Sequence, residues 1–270
     1  MLGAIVGDII GSRFEFNNYL GTDFELFTSE CNFTDDTICT VAVADAILTG
    51  ISFEQALLRW CRKYPNPKGS YGSSFVRWVH SIDPKPYNSF GNGSAMRVSP
   101  CGWLPTREDV LKYARLSAEC THNHPEGIRG AVCVADCIFQ ARSGVSKNDI
   151  KRLATDLYDY NVEQSCQAIR QINTFDETCQ VTVPQAIVCF LESTDFENAI
   201  RLAISIGGDS DTIAAITGGI AEAFYGIPES IKAKTMRYLP QEMNNIVTNF
   251  EIKYGLNDFI KQCKYYKEET

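Results

Sequence analysis

The stretch Ser205–Gly226 constrains the fold more than any other, because it joins a polar turn led by glycines directly to an apolar run with helical spacing. From Ile213 to Phe224 the large apolar residues recur at i, i+3, i+7 and i+11, which is the spacing of one helix face. Gly218 and Gly219 lie inside this run, and each weakens a helix by roughly 1 kcal/mol relative to alanine. The sequence therefore predicts a buried helix that another helix approaches closely.

Oxygen-bearing side chains stand at the start of this helix. A single aspartate there would act as an N-cap and complement the helix dipole, which is the commoner use of such a residue. Asp209, Asp211 and Thr212 together offer more oxygen atoms than a cap needs, and Mg²⁺, Mn²⁺ and Ca²⁺ prefer such ligands. Taken alone, the pattern favours the cap, with one half of a metal site as the alternative.

A second copy of the pattern lies far upstream and changes this balance. Thr34, Asp35 and Asp36 precede a run of small apolar residues that ends at Gly50. Both segments therefore predict acidic N-termini of buried helices, and four aspartates brought together would repel one another unless cations lay between them. The repeated pattern predicts a site for two metal ions about 3.5–4 Å apart, bridged by carboxylates.

Helical spacing also dominates the rest of the chain. The first helix is apolar, and Gly3, Gly7 and Gly11 recur in it every fourth residue, as in a tightly packed core helix. Further helices are predicted at 52–64, 73–80, 106–118, 127–140, 146–160, 162–171, 183–191, 196–205, 228–239 and 241–254. Alternation with a period of two persists nowhere, so the predicted fold class is all-α. The tail 261–270 is polar.

Length and charge limit the class of protein. The 270 residues can bury a sizeable core, and no linker divides the motifs, so a single domain spanning 1–270 is predicted. A net charge of −8 and a pI of about 5.0 leave no basic surface for nucleic acid or an anionic membrane.

The cysteines and the N-terminus bear on location. The 11 cysteines are odd in number and scattered through apolar runs, which favours buried reduced thiols in a cytoplasmic protein. The apolar run at the N-terminus is interrupted by Asp8 and lacks a basic leader, so neither a signal peptide nor a membrane span is predicted. A monomer is expected.

Five short blocks of sequence form a recognisable combination. In chain order they are Gly3–Glu15, Phe33–Thr37, Gly91–Val98, Thr121–His122 and Gly207–Ile213. Together they resemble the ADP-ribosylglycohydrolase family, which includes the dinitrogenase-reductase-activating glycohydrolase and the eukaryotic ADP-ribosyl-acceptor hydrolases. The resemblance implies a compact orthogonal multi-helix bundle. It also implies a hydrolase that cleaves the C1″ glycosidic bond of ADP-ribosylated proteins or small molecules and releases ADP-ribose.

The resemblance also assigns metal-binding and catalytic residues. It implies two Mg²⁺ or Mn²⁺ ions held by Thr34, Asp35, Asp36, Asp209, Asp211 and Thr212. Glu15 matches a family glutamate that lies beside the metals, and it is expected to act as the general acid/base together with the catalytic aspartates Asp36 and Asp211. Asp8 is expected to be structural.

A loop at Ser89–Arg97 is rich in glycine and small polar residues. Its backbone N–H groups could cradle a diphosphate, although such a loop is more often only a turn. The resemblance implies that ADP-ribose is bound by Ser89, Phe90, Gly91, Asn92, Gly93, Ser94 and His122. Phe90 would cover the adenine, since an aromatic face is a stacking surface for a base.

Several alternatives remain. Cys120, His122 and His124 would suit zinc, but no fourth ligand stands at ordinary zinc-motif spacing. A prenyl-diphosphate enzyme would need an aspartate-rich motif that Cys39 interrupts. A non-catalytic member of the family that kept the ligand pocket would be expected to lose metal ligands that are present here. Within the family, Glu15 and Ser89–Gly93 look closer to the branch that cleaves O-linked ADP-ribose, on serine or in O-acetyl-ADP-ribose, than to the arginine-directed branch.

Overall fold

Helices make up nearly all of the regular structure in the computed structural model, which describes residues 1–255. Within that part of the chain the other elements are a 3₁₀ turn, a π turn and two isolated β-bridges, so the all-α prediction is confirmed. In chain order, helices α1 to α14 are Leu2–Gly11, Asp35–Thr49, Phe53–Lys63, Ser73–His80, Gly93–Met96, Arg107–Glu119, Pro125–Arg142, Lys147–Arg152, Cys166–Ile172, Cys179–Glu192, Phe196–Ser205, Ser210–Tyr225, Glu229–Thr235 and Gln241–Tyr254. The predicted polar tail, 261–270, lies outside the described residues.

Helix α1 packs against α12 with the two helices running in opposite directions, and almost no side chain lies between their backbones. A Cβ atom built at Gly3 would lie 2.2 Å from the carbonyl oxygen of Gly218. At the other end of α1, a Cβ at Gly11 would lie 2.5 Å from the Cα atom of Asp211. The close helix approach predicted from the interior glycines is therefore present, and it places the C-terminus of α1 beside the N-terminus of α12.

Helix α12 lies at the centre of the core. Every residue from Ser210 to Ala223 is buried, and α7, α10 and α11 pack around the helix together with α1. The polar start of α12 is buried as well, so the aspartates there are removed from bulk water. Their charges must therefore be balanced by protein groups or by a bound ion, or be removed by protonation.

Several predicted helices have different bounds in the structure. The helix predicted at 146–160 leaves the α conformation after Arg152 and continues as the π turn Leu153–Leu157. The one predicted at 162–171 begins only at Cys166, because the Ser165 hydroxyl accepts a hydrogen bond from the Ala168 N–H and so caps the helix there. The helix predicted at 228–239 spans only the residues of α13.

The cysteines at the described positions are free thiols, and all of them except Cys120 are buried. They fill the apolar interior as small hydrophobic side chains, as the sequence predicts. Among residues 1–255, none of the helices combines the length and the hydropathy that crossing a bilayer requires.

The contact between α1 and α12 predicts how Gly7→Ala affects stability. In an open helix this change would stabilise the protein by about 1 kcal/mol. Here the new Cβ would lie 2.0 Å from the carbonyl oxygen of Ala214, so we expect a loss of roughly 1–3 kcal/mol in the free energy of unfolding, as in overpacked cores. Denaturant titration measures the change. Gly72→Ala is the matched control, because its Cβ would meet nothing within 4 Å, and equal stability of the two variants would contradict this account.

Candidate functional site

The two acidic segments meet because the N-termini of α2 and α12 converge. The Thr212 hydroxyl donates a hydrogen bond to Asp36 Oδ1 at 3.3 Å. Thr34 caps α2 by accepting a hydrogen bond from the Asp36 N–H at 3.2 Å. The aspartates from both copies of the pattern line a single cleft, and they are Asp35, Asp36, Asp209 and Asp211.

Asp209 does not serve as a simple helix cap. It occupies the N-cap position of α12, yet its side chain makes no capping hydrogen bond. Instead, its Oδ2 accepts a hydrogen bond from Asn92 Nδ2 at 2.6 Å, and the same amide donates to the Thr182 hydroxyl at 3.0 Å. The carboxylate is therefore held by a neighbouring loop at the edge of the cleft.

Asp8 supports the site from α1 and is fully buried. It accepts hydrogen bonds from the backbone N–H groups of Thr34 and Thr37 at 3.0 and 3.1 Å, and both threonine hydroxyls donate to it as well. These bonds fix the start of α2 on α1, which is a structural role. The Thr34 hydroxyl thus donates to Asp8 and accepts from Asp36, which leaves it one lone pair for a metal.

The residues at this corner fit a divalent cation. One carboxylate oxygen from each of Glu15, Asp209 and Asp211 lies within 4.8 Å of the others. Asp36 Oδ2 and Asp211 Oδ1 are buried and have no hydrogen-bond partner, which is unfavourable for a polar atom unless another group satisfies it. Carboxylate oxygens are the ligands that Mg²⁺ and Mn²⁺ prefer. The unpartnered oxygens therefore indicate a cation between the two helix starts.

The environment of these carboxylates disfavours their negative charge when no cation is bound. Burial, and then the charges of Asp211 and Asp8, hold the pKa of Asp36 well above its usual range. Burial and the neighbouring Asp209 have the same effect on the pKa of Asp211. Burial also raises the pKa of Asp209 to about 7. A bound cation would reverse these shifts by favouring the ionised forms.

A cleft of about 220 Å³ lies over the aspartates, and Glu15 and Thr212 line it beside them. The lining also includes most of the residues predicted to bind ADP-ribose, namely Ser89, Gly91, Asn92, Gly93 and His122. The loop at 89–93 and the two acidic helix starts therefore contribute to the same cleft.

Two residues predicted to bind ADP-ribose, Ser94 and Phe90, do not line the cleft. The Ser94 hydroxyl is buried and donates a hydrogen bond to the Gly127 carbonyl at 2.7 Å, so it holds the loop against α7. The assignment of Ser94 to the ADP-ribose site stays a prediction. Phe90 is 46% exposed, and its ring lies edge-on to His124 with the centroids 5.3 Å apart. Its contact with adenine stays a prediction.

The imidazole of His122 packs against the glycine loop. Its Nε2 is 3.1 Å from the position of a Cβ built at Gly93, and its Nδ1 is 2.7 Å from the Thr121 hydroxyl. Burial, and then the charge of Arg97, hold the pKa of His122 well below its usual value, so the ring is neutral near pH 7 and suited to hydrogen bonding. His124 instead caps α7, which removes it from the zinc alternative.

Other lining residues were not identified from the sequence. Ser70, Gly72 and Ser73 precede or begin α4, whereas Tyr87 and Glu177 lie in loops. A segment rich in glycine and serine ahead of a helix is a signal for anion binding, and it could have pointed to the first group. Glu177 has no such signal, because a single carboxylate in a polar loop is common.

Asn18 connects the segment that carries Glu15 to the turn before α12. Its side-chain amide pairs with the Gly208 backbone in both directions, accepting from the N–H and donating to the carbonyl oxygen, each at 2.9 Å. The same Nδ2 lies 2.8 Å from the Phe14 carbonyl oxygen. Gly208 has a φ of +78°, which favours glycine. Asn18 therefore helps to fix Glu15 relative to Asp209.

Comparison with known proteins relates these blocks to one family. The family model described as ADP-ribosylglycohydrolase matches residues 1–257. The Homo sapiens protein named ADP-ribosylhydrolase ARH3 is 27% identical, and the match covers 85% of this chain and 86% of that protein. The Pseudomonas putida (strain GB-1) protein named ADP-ribosylarginine hydrolase Tri1 is 25% identical, with 84% and 70% covered. A solved structure described as an ADP-ribosylglycohydrolase-related protein complex has a TM-score of 0.70 and 25% identity, covering 92% of this chain and 94% of that chain.

Asp36→Asn tests whether the cluster binds a cation. Without metal, the variant should be at least as stable as the wild type, because it no longer bears the cost of burying or protonating an acidic group at position 36. With Mg²⁺ at a hundredfold excess over its Kd, the wild type should gain about 2.7 kcal/mol of stability, and the variant should lose most of this gain. Thermal unfolding with chelator and with Mg²⁺, together with elemental analysis, measures both effects.

Asp136→Asn provides the control for that experiment. Asp136 is also fully buried, but it pairs with Arg107 outside the cleft. Its replacement should lower stability and leave the response to Mg²⁺ intact. An undiminished Mg²⁺ response in Asp36→Asn would remove Asp36 from the metal site.

Proposed function

The chain belongs to the ADP-ribosylglycohydrolase family, and we propose that its cleft binds an ADP-ribosylated substrate and releases ADP-ribose with the help of two Mg²⁺ or Mn²⁺ ions. The protein is an ADP-ribosyl glycohydrolase. The observation that carries the proposal is the meeting of two helix starts, where Asp36 and Asp211 each have an unpartnered buried oxygen and Asp211 lies beside Glu15. A protein with this corner can hold cations next to a carboxyl group that is able to transfer a proton.

The proposed metal ligands come from the two helix starts, and they are Thr34, Asp35, Asp36, Asp209, Asp211 and Thr212. When bound, the ions would orient the hydroxyls of the distal ribose and stabilise charge as the C1″ bond breaks. Asp36 and Asp211 are the strongest candidates, because each has a buried oxygen that no protein group satisfies.

Glu15 is proposed as the general acid/base. A Cβ built at Gly69 would lie 2.5 Å from Glu15 Oε2, so the absence of a side chain at Gly69 leaves room for the carboxyl group. In the metal-free site, burial and then the charges of Asp211 and Asp8 raise the pKa of Glu15 to about 8. A bound cation would lower this pKa, so the proposed role rests on the position of the carboxyl group beside Asp209 and Asp211, from which it could pass a proton to the leaving oxygen of the acceptor.

The remainder of ADP-ribose would extend along the glycine loop. Residues at the start of α4 line the cleft, and the free N–H groups of a helix N-terminus suit a diphosphate, while His122 can hydrogen-bond to the ligand. The N–H groups of Gly91 and Asn92 already donate to the Ser89 hydroxyl and the Glu177 carbonyl, so this part of the loop would contact the ligand through other atoms. The cleft volume of about 220 Å³ is smaller than the roughly 300–1,000 Å³ of pockets that enclose a drug-sized ligand. The adenine would therefore lie outside the cleft, where Phe90 offers a stacking surface.

We favour an O-linked acceptor, on serine or in O-acetyl-ADP-ribose, since Glu15 and Ser89–Gly93 match that branch of the family. Arginine-directed hydrolysis is the alternative, and one relative carries that activity in its name. We expect a cytoplasmic monomer that acts on an ADP-ribosylated protein or small molecule.

The reaction is tested by incubating the protein with serine-linked, arginine-linked and O-acetyl ADP-ribose and measuring the ADP-ribose released. With the conjugate that the wild type cleaves as substrate, Glu15→Gln should lower kcat by a factor of roughly 10²–10⁴, the usual contribution of general acid–base catalysis. Metal content and ADP-ribose affinity should stay near those of the wild type. Near-normal turnover in Glu15→Gln would remove Glu15 from the mechanism, and binding of ADP-ribose without release from any conjugate would contradict the proposed reaction.

Asn18→Ala tests whether the position of Glu15 depends on the amide bridge to Gly208. We expect kcat to fall about tenfold, because misplaced catalytic groups lose rate steeply, while metal content is retained. The measurement is kcat and KM beside metal content and thermal unfolding. A loss of stability with unchanged kcat would show that the bridge serves only the fold.

A further inference from the structure

Two segments, 14–25 and 171–178, form a rim beside the cleft. Both contact the turn before α12: Asn18 bonds to the Gly208 backbone, and Asn173 Nδ2 donates to the Gly207 carbonyl at 3.0 Å. Each segment also contributes one carboxylate, Glu15 or Glu177, to the lining of the cleft. The rim is therefore continuous with the site at which the glycosidic bond would be cleaved.

The rim carries an unusual share of exposed apolar side chains. Among the described residues, 11 large hydrophobic side chains are exposed, and the rim supplies Phe16, Tyr19, Leu20, Ile172 and Phe175. The Phe16 and Phe175 rings lie 5.9 Å apart, with 74% and 46% exposure of the two residues. These two rings connect segment 14–25 to segment 171–178 at the protein surface. Clustered exposed apolar groups of this kind mark interaction surfaces, whereas single ones do not.

The charge of the rim has one sign. Apart from Glu15, the proposed proton donor of the cleft, the two segments contain the acidic residues Asp23, Glu25, Asp176 and Glu177, and they contain no lysine or arginine. The guanidinium groups of Arg13 and Arg201 reach the first segment, but both donate hydrogen bonds to its backbone carbonyls. Such a surface attracts a positively charged partner.

We propose that this rim is the docking surface for the acceptor polypeptide, and that it selects a chain with an apolar side chain and a lysine or arginine near the ADP-ribosylated residue. The apolar side chain would pack on Phe16 and Phe175, and the cationic one would lie beside Glu177. This inference rests on the proposed function, since it places the leaving acceptor on the side of Glu15. It identifies the substrate class as a basic polypeptide.

Peptide hydrolysis by variants of the rim tests the inference. The probes are two synthetic peptides that carry ADP-ribose in the linkage cleaved by the wild type, one with leucine and lysine flanking the modified residue and one with leucine and glutamate. O-acetyl-ADP-ribose is the probe without a polypeptide, and free ADP-ribose serves as the product inhibitor in each assay. The Phe16→Ser/Phe175→Ser double variant should raise KM for the lysine peptide about tenfold and change kcat less than twofold. Product inhibition by ADP-ribose should stay the same.

Leu157→Ser is the matched control, since Leu157 is 58% exposed and lies in the π turn, outside the rim. It should change neither constant. Glu177→Lys should lower the ratio of kcat/KM for the lysine peptide to that for the glutamate peptide by tenfold or more, and thermal unfolding verifies that each variant is folded.

The outcomes separate this inference from the proposed function. Two results would overturn the docking surface while leaving the glycohydrolase reaction in place. One is a double variant in which KM for the peptides and the inhibition constant of ADP-ribose change by the same factor. The other is a Glu177→Lys variant in which the ratio of kcat/KM for the two peptides is unchanged. A wild-type protein that cleaves no conjugate at all would instead overturn the proposed reaction.

Discussion

The glycine-lined contact between α1 and α12 is the constraint on which the rest of the structure depends. Because almost no side chain separates the two backbones, the end of α1 lies against Asp211, and the segment that leaves α1 places Glu15 within 4.8 Å of the carboxylates at the start of α12. The same helix supplies Asp8, which fixes the start of α2. One helix pair therefore determines where acidic groups from distant parts of the chain meet.

The concentration of buried carboxylates opposes folding, and the magnitudes indicate what offsets it. Each helix N-terminus directed at the cluster typically stabilises a negative charge by about 0.3–1 kcal/mol. Leaving a buried charge without a partner costs about 3–5 kcal/mol. Two helix dipoles are therefore too weak to keep Asp36 and Asp211 in their ionised forms, since each has a buried oxygen with no hydrogen-bond partner. Bound cations are the stronger explanation for retaining acidic side chains at this corner.

The sequence was sufficient to predict most of the helices, the close approach of another helix at Gly218 and the meeting of the two acidic segments. Each of these features has a local pattern of spacing or composition. It was insufficient where a role depends on a distant partner. Ser94 is assigned to the ligand through the family resemblance, and no local pattern predicts that its hydroxyl bonds to Gly127 in another helix. Asn18 and Glu177 have ordinary polar neighbours in the sequence, and only folding brings them beside Gly208 and the cleft.

The side-chain amide of Asn92 links the loop proposed for ADP-ribose to the proposed metal site. Asn92 belongs to the loop proposed for ADP-ribose, yet it donates a hydrogen bond to Asp209, a proposed metal ligand. A shift of the loop on ligand binding would therefore act on the proposed metal site, and thermodynamic linkage requires the effect on the two binding free energies to be equal in both directions. The concentration of free divalent cations would then set how tightly the enzyme binds its product.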